Sequence, residues 1–233
     1  MAHDGFIAKL LRFIGVVLVA VNAGLTFLSG IGTACVAFVP TNPSWVSFMG
    51  GIAKLQWLYI IYVLAGIALG IAGIRNVVLL VKGKPNAYRS TLIVLILGLI
   101  VGATHIITSR MLRGDSMPVD PIVYVSALTL AIFMLFRLPG VWSGVDFAYG
   151  KGKDNQMAGG AAAIFLGAIT LTIQIMMRST HTMGGVNFAD AFNLSMMILS
   201  TGFLLLGFGI LVGVSLRKSG ERLSSQTESQ PFS

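Results

Sequence analysis

Residues 90–109, STLIVLILGLIVGATHIITS, decide the fold class of this chain. The stretch contains no Asp, Glu, Lys or Arg. A helix rises about 1.5 Å per residue, so a stretch of about 20 residues matches the roughly 30 Å hydrocarbon core of a bilayer. The stretch also lacks the apolar–polar alternation that a barrel strand needs. It therefore predicts a membrane-spanning helix.

The rest of the chain has the same character. Of its 233 residues, 55% are hydrophobic and only 10% are charged, whereas a soluble domain carries about 25% charged residues. We therefore predict an all-α polytopic membrane protein, with one six-helix transmembrane domain over residues 1–216 and a disordered cytoplasmic tail at 217–233. The predicted spans are residues 13–34, 55–81, 90–109, 121–137, 159–177 and 191–216.

The basic residues predict the orientation of these spans. The chain carries 16 Lys and Arg against 8 Asp and Glu, and the basic residues lie between the apolar runs. If the N-terminus is cytoplasmic, only four of the 16 basic residues lie on the outer side of the membrane, namely Lys54, Arg110, Arg113 and Arg178. This asymmetry predicts that both termini are cytoplasmic and that the protein lies in the cell membrane. It explains the net charge of +8 without a nucleic-acid partner.

Catalytic chemistry has little support in the sequence. All eight acidic residues lie outside the charge-free runs, and no phosphate-binding, dinucleotide-binding or nucleophile-elbow motif occurs in a usable context. The single cysteine, Cys35, cannot form an internal disulfide. We predict no catalytic residue, consider an enzyme the less favoured class, and leave any metal open.

Two histidines are candidate cofactor ligands. His105 is the one ionisable residue well inside a predicted span, and His181 lies in the next predicted outer loop. A neutral imidazole can ligate haem iron or another metal, and a quinone can bind between helices beside one histidine. Haem or quinone is thus a possible cofactor but is not favoured. The preferred interpretation is that His105 packs and hydrogen-bonds to Ser or Thr of a neighbouring helix.

Three further polar residues are candidates for contact with a substrate or a lipid headgroup. Arg75 interrupts the second span near the cytoplasm, where it could bind an anion or extend to the interface. Gln174 and Asn193 lie in the outer half, where they could line a polar pocket or bridge two helices.

Pairs of small residues four apart recur in the spans. Such pairs let helices approach closely, and where they face lipid they offer a docking surface to other membrane subunits. The pairs are Ala20 with Gly24, Gly66 with Gly70, Gly98 with Gly102, Ala163 with Gly167, and Gly209 with Gly213.

Three functions fit these patterns. The short loops, the small-residue pairs and the lack of acids inside the spans favour a non-catalytic accessory or scaffold subunit of a larger membrane complex. The first alternative is a small-solute transporter or channel that uses the polar residues inside the spans. The second alternative is a haem- or quinone-binding redox module that uses His105.

Overall fold

The computed structural model describes residues 2, 5–43, 46–148, 153–183, 186–187, 190 and 193–228. The helices are α1 (Phe6–Phe38), α2 (Val46–Met49), α3 (Gln56–Val81), α4 (Ala87–Arg113), α5 (Val119–Leu135), α6 (Trp142–Val145), α7 (Lys153–His181) and α8 (Asn193–Glu228). A 3-10 helix, Gly50–Leu55, leads into α3. Two short strands, β1 (Thr182–Met183) and β2 (Val186–Asn187), pair antiparallel between α7 and α8.

Six of these helices are apolar, and each overlaps one of the predicted spans. Four are long and apolar enough to cross a membrane by length and composition, namely Phe6–Phe38, Gly50–Val81, Ala87–Arg113 and Asn193–Arg217. Helix α5 and the Gln156–Thr172 part of α7 are shorter apolar helices. The chain is therefore a multi-pass helical membrane protein.

The structure differs from the sequence-based prediction at the C-terminal tail. We predict disorder over 217–233, but α8 continues as helix to Glu228. The segment RKSGERLSSQTE is rich in good helix formers, and adding residues to an existing helix avoids the cost of nucleation. Residues 229–233 lie outside the part of the chain that the structure describes.

Four helices form a closed ring. Helix α1 packs against α3 and α5, α3 packs against α4, and α4 packs against α5. Helix α7 packs on the outside of this ring, mainly against α1, and α8 packs mainly against α7. We call α1, α3, α4 and α5 the four-helix ring.

Glycines bring α1 and α3 together. A Cβ atom added to Gly70 would lie 2.6 Å from the Cα of Phe27, and one added to Gly66 would lie 3.2 Å from the Cα of Gly30. No larger residue fits at these positions without moving the backbones apart. The predicted small-residue pair of α3 is thus a helix-packing contact.

The two ends of the ring are closed differently. At the α6 end, the Arg12 guanidinium donates a 2.6 Å hydrogen bond to the carbonyl of Gly144, and the Arg137 guanidinium lies 3.9 Å from the Trp142 ring centroid. At the opposite end, the Gln56 amide donates to the last carbonyls of α1. These contacts tie α1 to the neighbouring segments at both ends of the ring.

Candidate functional site

The axis of the four-helix ring contains two adjoining cavities, which we call together the polar cleft. The cavity nearer the Gln56 end of the ring, which we call the outer cavity, measures about 50 Å³. The cavity nearer the α6 end, which we call the inner cavity, measures about 10 Å³, and Thr26, Leu69 and Gly98 line both. A cavity must have a volume of roughly 10–15 Å³ to hold one water molecule. The cleft therefore has room for a few waters. Its polar lining comprises Asn22, Thr26, Ser29, Thr33, Tyr62, Asn76, Thr91, His105 and Ser126.

His105 forms part of the wall of the outer cavity. Its side chain is 92% buried, since its relative exposure is 8%. The imidazole stacks on the Tyr62 ring at a centroid distance of 4.5 Å and meets the Tyr59 ring edge-on at 5.2 Å. It makes no hydrogen bond to any residue in the described ranges, so the predicted bond to Ser or Thr is not found.

The hydroxyl groups of the two tyrosines hold α3 against α4. The Tyr59 hydroxyl and the Ser109 hydroxyl share a 2.7 Å hydrogen bond, and those of Tyr62 and Thr108 share one of 3.0 Å. Both phenols are thereby engaged away from the imidazole. The two rings hold His105 in position where it lines the outer cavity.

The middle of the cleft is bridged from α1 to α5. The Ser126 hydroxyl donates a 2.6 Å hydrogen bond to the Asn22 side-chain oxygen, and the Thr26 hydroxyl donates to the backbone carbonyl of Asn22. Asn22 therefore bridges α1 and α5. Sequence reasoning did not single out Ser126 and Thr26 as cleft residues, although hydroxyl residues within apolar spans were the available signal.

Asn76 forms the wall of the inner cavity. Its side-chain oxygen accepts a 2.7 Å hydrogen bond from the Ser90 hydroxyl. Its amide nitrogen is buried and has no hydrogen-bond partner. The cleft therefore has two polar groups, the Asn76 amide and the His105 imidazole, that no described side chain or backbone group satisfies.

A function follows from the geometry and chemistry of a site and not from the fold alone. No family model, curated protein or solved structure matches this chain. Within the described ranges, no Asp, Glu, Lys or Arg lines either cavity. The cleft offers hydrogen-bond donors and acceptors without charge, a chemistry that suits binding rather than covalent catalysis.

Of the other predicted site residues, Arg75 and Asn193 do not line the cleft. Arg75 is exposed beside the buried Asn76, and Asn193 is exposed at the start of α8. His181 and Gln174 belong to α7, which lies outside the four-helix ring. The side chains of these two residues fall outside the described part of the structure, so their roles as a cofactor ligand and a pocket residue stay predictions.

The cleft is small for a cofactor. Pockets that hold drug-sized ligands and cofactors measure roughly 300–1,000 Å³, against about 50 Å³ beside His105. A haem macrocycle or a quinone ring would need the ring of helices to open. Among the described residues, no group of three His, Cys, Asp or Glu side chains could hold a metal ion.

Charged residues lie at the outer end of the ring, beyond the cleft. Arg110 and Ser116 both donate hydrogen bonds of 2.6 Å to the Asp120 carboxylate. Burial raises the pKa of Asp120, but the hydrogen bonds from Ser116 and Arg110 and the charge of Arg110 outweigh it and hold the pKa below its ordinary value. Arg113 is 90% buried nearby, with its guanidinium donating to the carbonyl of Met117.

Proposed function

We propose that this chain is a small-solute transporter or channel of the cell membrane, with the polar cleft as part of its pathway. The observation that supports it is the buried Asn76 amide, which lines the cleft without a hydrogen-bond partner, and beside the cleft the His105 imidazole has none among the described residues either. Leaving a buried polar group unsatisfied costs about 1–3 kcal/mol. A mobile water or solute in the cleft would remove that penalty.

The extent of the cleft also supports a pathway. Along α1 its lining runs from Val19 to Thr33. At 1.5 Å per residue this is about 21 Å, or roughly two thirds of the hydrocarbon core. A polar strip of this length through an apolar bundle is a route along the membrane normal rather than a single packing contact.

The proposal includes the topology expected from the basic residues, with six spans and both termini cytoplasmic. Helix α5 has 17 residues, which is about 25 Å of helix. Arg137 and Trp142 follow its last turn and stack on each other. A cation and an indole ring at this point are typical of the membrane interface, and they would let a short helix complete its span.

Flux through proteoliposomes tests the proposal. Thr26→Leu fills the point where the two cavities meet, whereas Thr104→Leu makes the same change on the exposed face of α4. We expect stopped-flow swelling with small polar solutes to be faster with the wild-type protein and the Thr104 variant than with Thr26→Leu. Equal rates for all three and for empty liposomes would overturn the proposal.

An accessory or scaffold subunit is the second candidate, and one observation favours it. Helix α8 packs mainly on α7, and Gly202, Gly209 and Gly213 have nothing within 4 Å of an added Cβ atom. Glycines on an open helix face allow close approach of another membrane helix. Purification in mild detergent tests this idea: a partner lost on Gly209→Leu supports it, and migration as a lone monomer contradicts it.

A further inference from the structure

We infer that the His105 ring edge in the outer cavity is a recognition site for a small uncharged solute that carries both a hydrogen-bond donor and an acceptor. The inference rests on the proposed function, since it names the class of solute that the cleft would take. Water, formamide and urea belong to this class. Three features of the site lead to it: what covers the imidazole, what faces it, and the absence of charge.

One face of the imidazole is covered, and neither of its nitrogens has a hydrogen-bond partner among the described residues. Tyr62 stacks on one face and Tyr59 contacts it edge-on, while the two phenol hydroxyls bond to Thr108 and Ser109. A neutral imidazole has one donor and one acceptor nitrogen. Because no described residue uses either nitrogen, both are available to a molecule in the cavity.

Hydroxyl groups from α1 and α5 line the same cavity. Ser29 and Thr33 are one helical turn apart on α1, and Ser126 lies on α5. A hydroxyl can both donate and accept a hydrogen bond. A solute bound at His105 can therefore exchange its hydrogen bonds with water for bonds to the cavity wall.

Charge and size limit what can bind. Neither cavity has an acidic or basic side chain in its described lining, so an ion would lose its hydration without gaining a counter-charge. A volume of about 50 Å³ limits the solute to the size of a few waters.

Permeability measurements on His105 variants test the site. His105→Phe keeps a ring between the tyrosines but removes both nitrogens, and His105→Asn keeps a donor and an acceptor. For formamide and urea we expect His105→Phe to lower permeability by about three- to tenfold, the effect of one lost hydrogen bond. His105→Asn should retain more, and Thr104→Val, on the exposed face beside it, should match the wild type.

A binding measurement separates failure of the site from failure of the pathway. The protein is labelled with ¹⁵N-histidine in nanodiscs, and the His105 signals are those missing from His105→Phe. We expect these signals to move on addition of formamide and not of potassium chloride. Signals that move without any flux would retain the site and overturn the proposed function.

Two results would overturn the inference. In the first, His105→Phe leaves the flux unchanged and the ¹⁵N signals do not respond to formamide. This would remove His105 as a recognition site while leaving the pathway intact. Flux of potassium or chloride that Thr26→Leu blocks would show that the cleft takes ions, and so would overturn the uncharged class.

Discussion

Arg110 donates a 2.6 Å hydrogen bond to Asp120 and so joins the end of α4 to the start of α5. Ser116 lies between them, accepting from Arg110 at 2.9 Å and donating to the other carboxylate oxygen at 2.6 Å. The three residues fix the short connection between two helices of the ring. Because both helices line the outer cavity, this connection sets the width of the cleft at its outer end.

Acid should weaken this connection only at low pH. The pKa of Asp120 is lowered in the folded protein, so its contribution to stability is complete above the ordinary carboxyl pKa of about 3.9 and is lost as the pH falls through the lowered value. The melting temperature in detergent should therefore differ between wild type and Asp120→Asn by the same amount at about pH 7 and pH 5, and the difference should begin to shrink only below about pH 4.

A double-mutant cycle measures the coupling energy between Arg110 and Asp120. Arg110 is 57% exposed along its side chain, so we expect a coupling energy with Asp120 of about 1 kcal/mol or less. The cycle uses Arg110→Gln, Asp120→Asn and the double variant in the same detergent. Strict additivity of the two single changes would show that the ion pair contributes nothing.

The phenol of Tyr59 should stabilise the contact of α3 with α4. Tyr59→Phe removes the 2.7 Å hydrogen bond to Ser109 and leaves a buried hydroxyl without its partner. We expect a loss of about 1 kcal/mol in the free energy of unfolding. Tyr124→Phe is the matched control, since Tyr124 is 63% exposed. Equal unfolding midpoints for the two variants would contradict this role.

Helix α1 and helix α3 should tolerate no larger residue at their closest approach. Gly70→Ala places a Cβ atom 2.6 Å from the Phe27 backbone, and forcing the helices apart costs about 1–3 kcal/mol. Gly209→Ala meets nothing within 4 Å and should be neutral or stabilise by up to about 1 kcal/mol, because Ala is the better helix former. Thermal unfolding followed by circular dichroism compares the two. A Gly70→Ala variant as stable as Gly209→Ala would refute the close packing.

The helices of this fold follow from the sequence, but the ring does not. A run such as 90–109 is apolar and of hydrocarbon length, so it predicts its helix without its neighbours. Lipid accepts apolar side chains on every face, which leaves little periodicity to show which face turns inward. The bond between Asn22 and Ser126 joins residues 104 apart, and no local pattern predicts that meeting.

The candidate site was only partly predictable, for the same reason. His105 stood out because an ionisable residue within a span is rare. Tyr59 and Tyr62 have the position of interfacial aromatics, so sequence alone gave no cause to place them against His105. Asn76 was overlooked beside Arg75, although the asparagine faces the cleft and the arginine faces outward.

Cysteine labelling should place the two ends of the bundle on opposite sides of the membrane. Cys35 is the only cysteine of the chain and is exposed in the last turn of α1. With the proposed orientation, a membrane-impermeant maleimide should label it in intact cells. A second variant combines Cys35→Ser with Ser219→Cys. Its single thiol lies at an exposed position of α8 beyond the span Asn193–Arg217. That thiol should react only after the cells are opened.

The pair of variants also tests the number of spans. With six spans, the α1 end at Cys35 and the α8 end at Ser219 face opposite sides of the membrane; if only one of α5 and α7 crosses, they face the same side. Labelling of both thiols from outside, or protection of both, would therefore remove one crossing from the proposal.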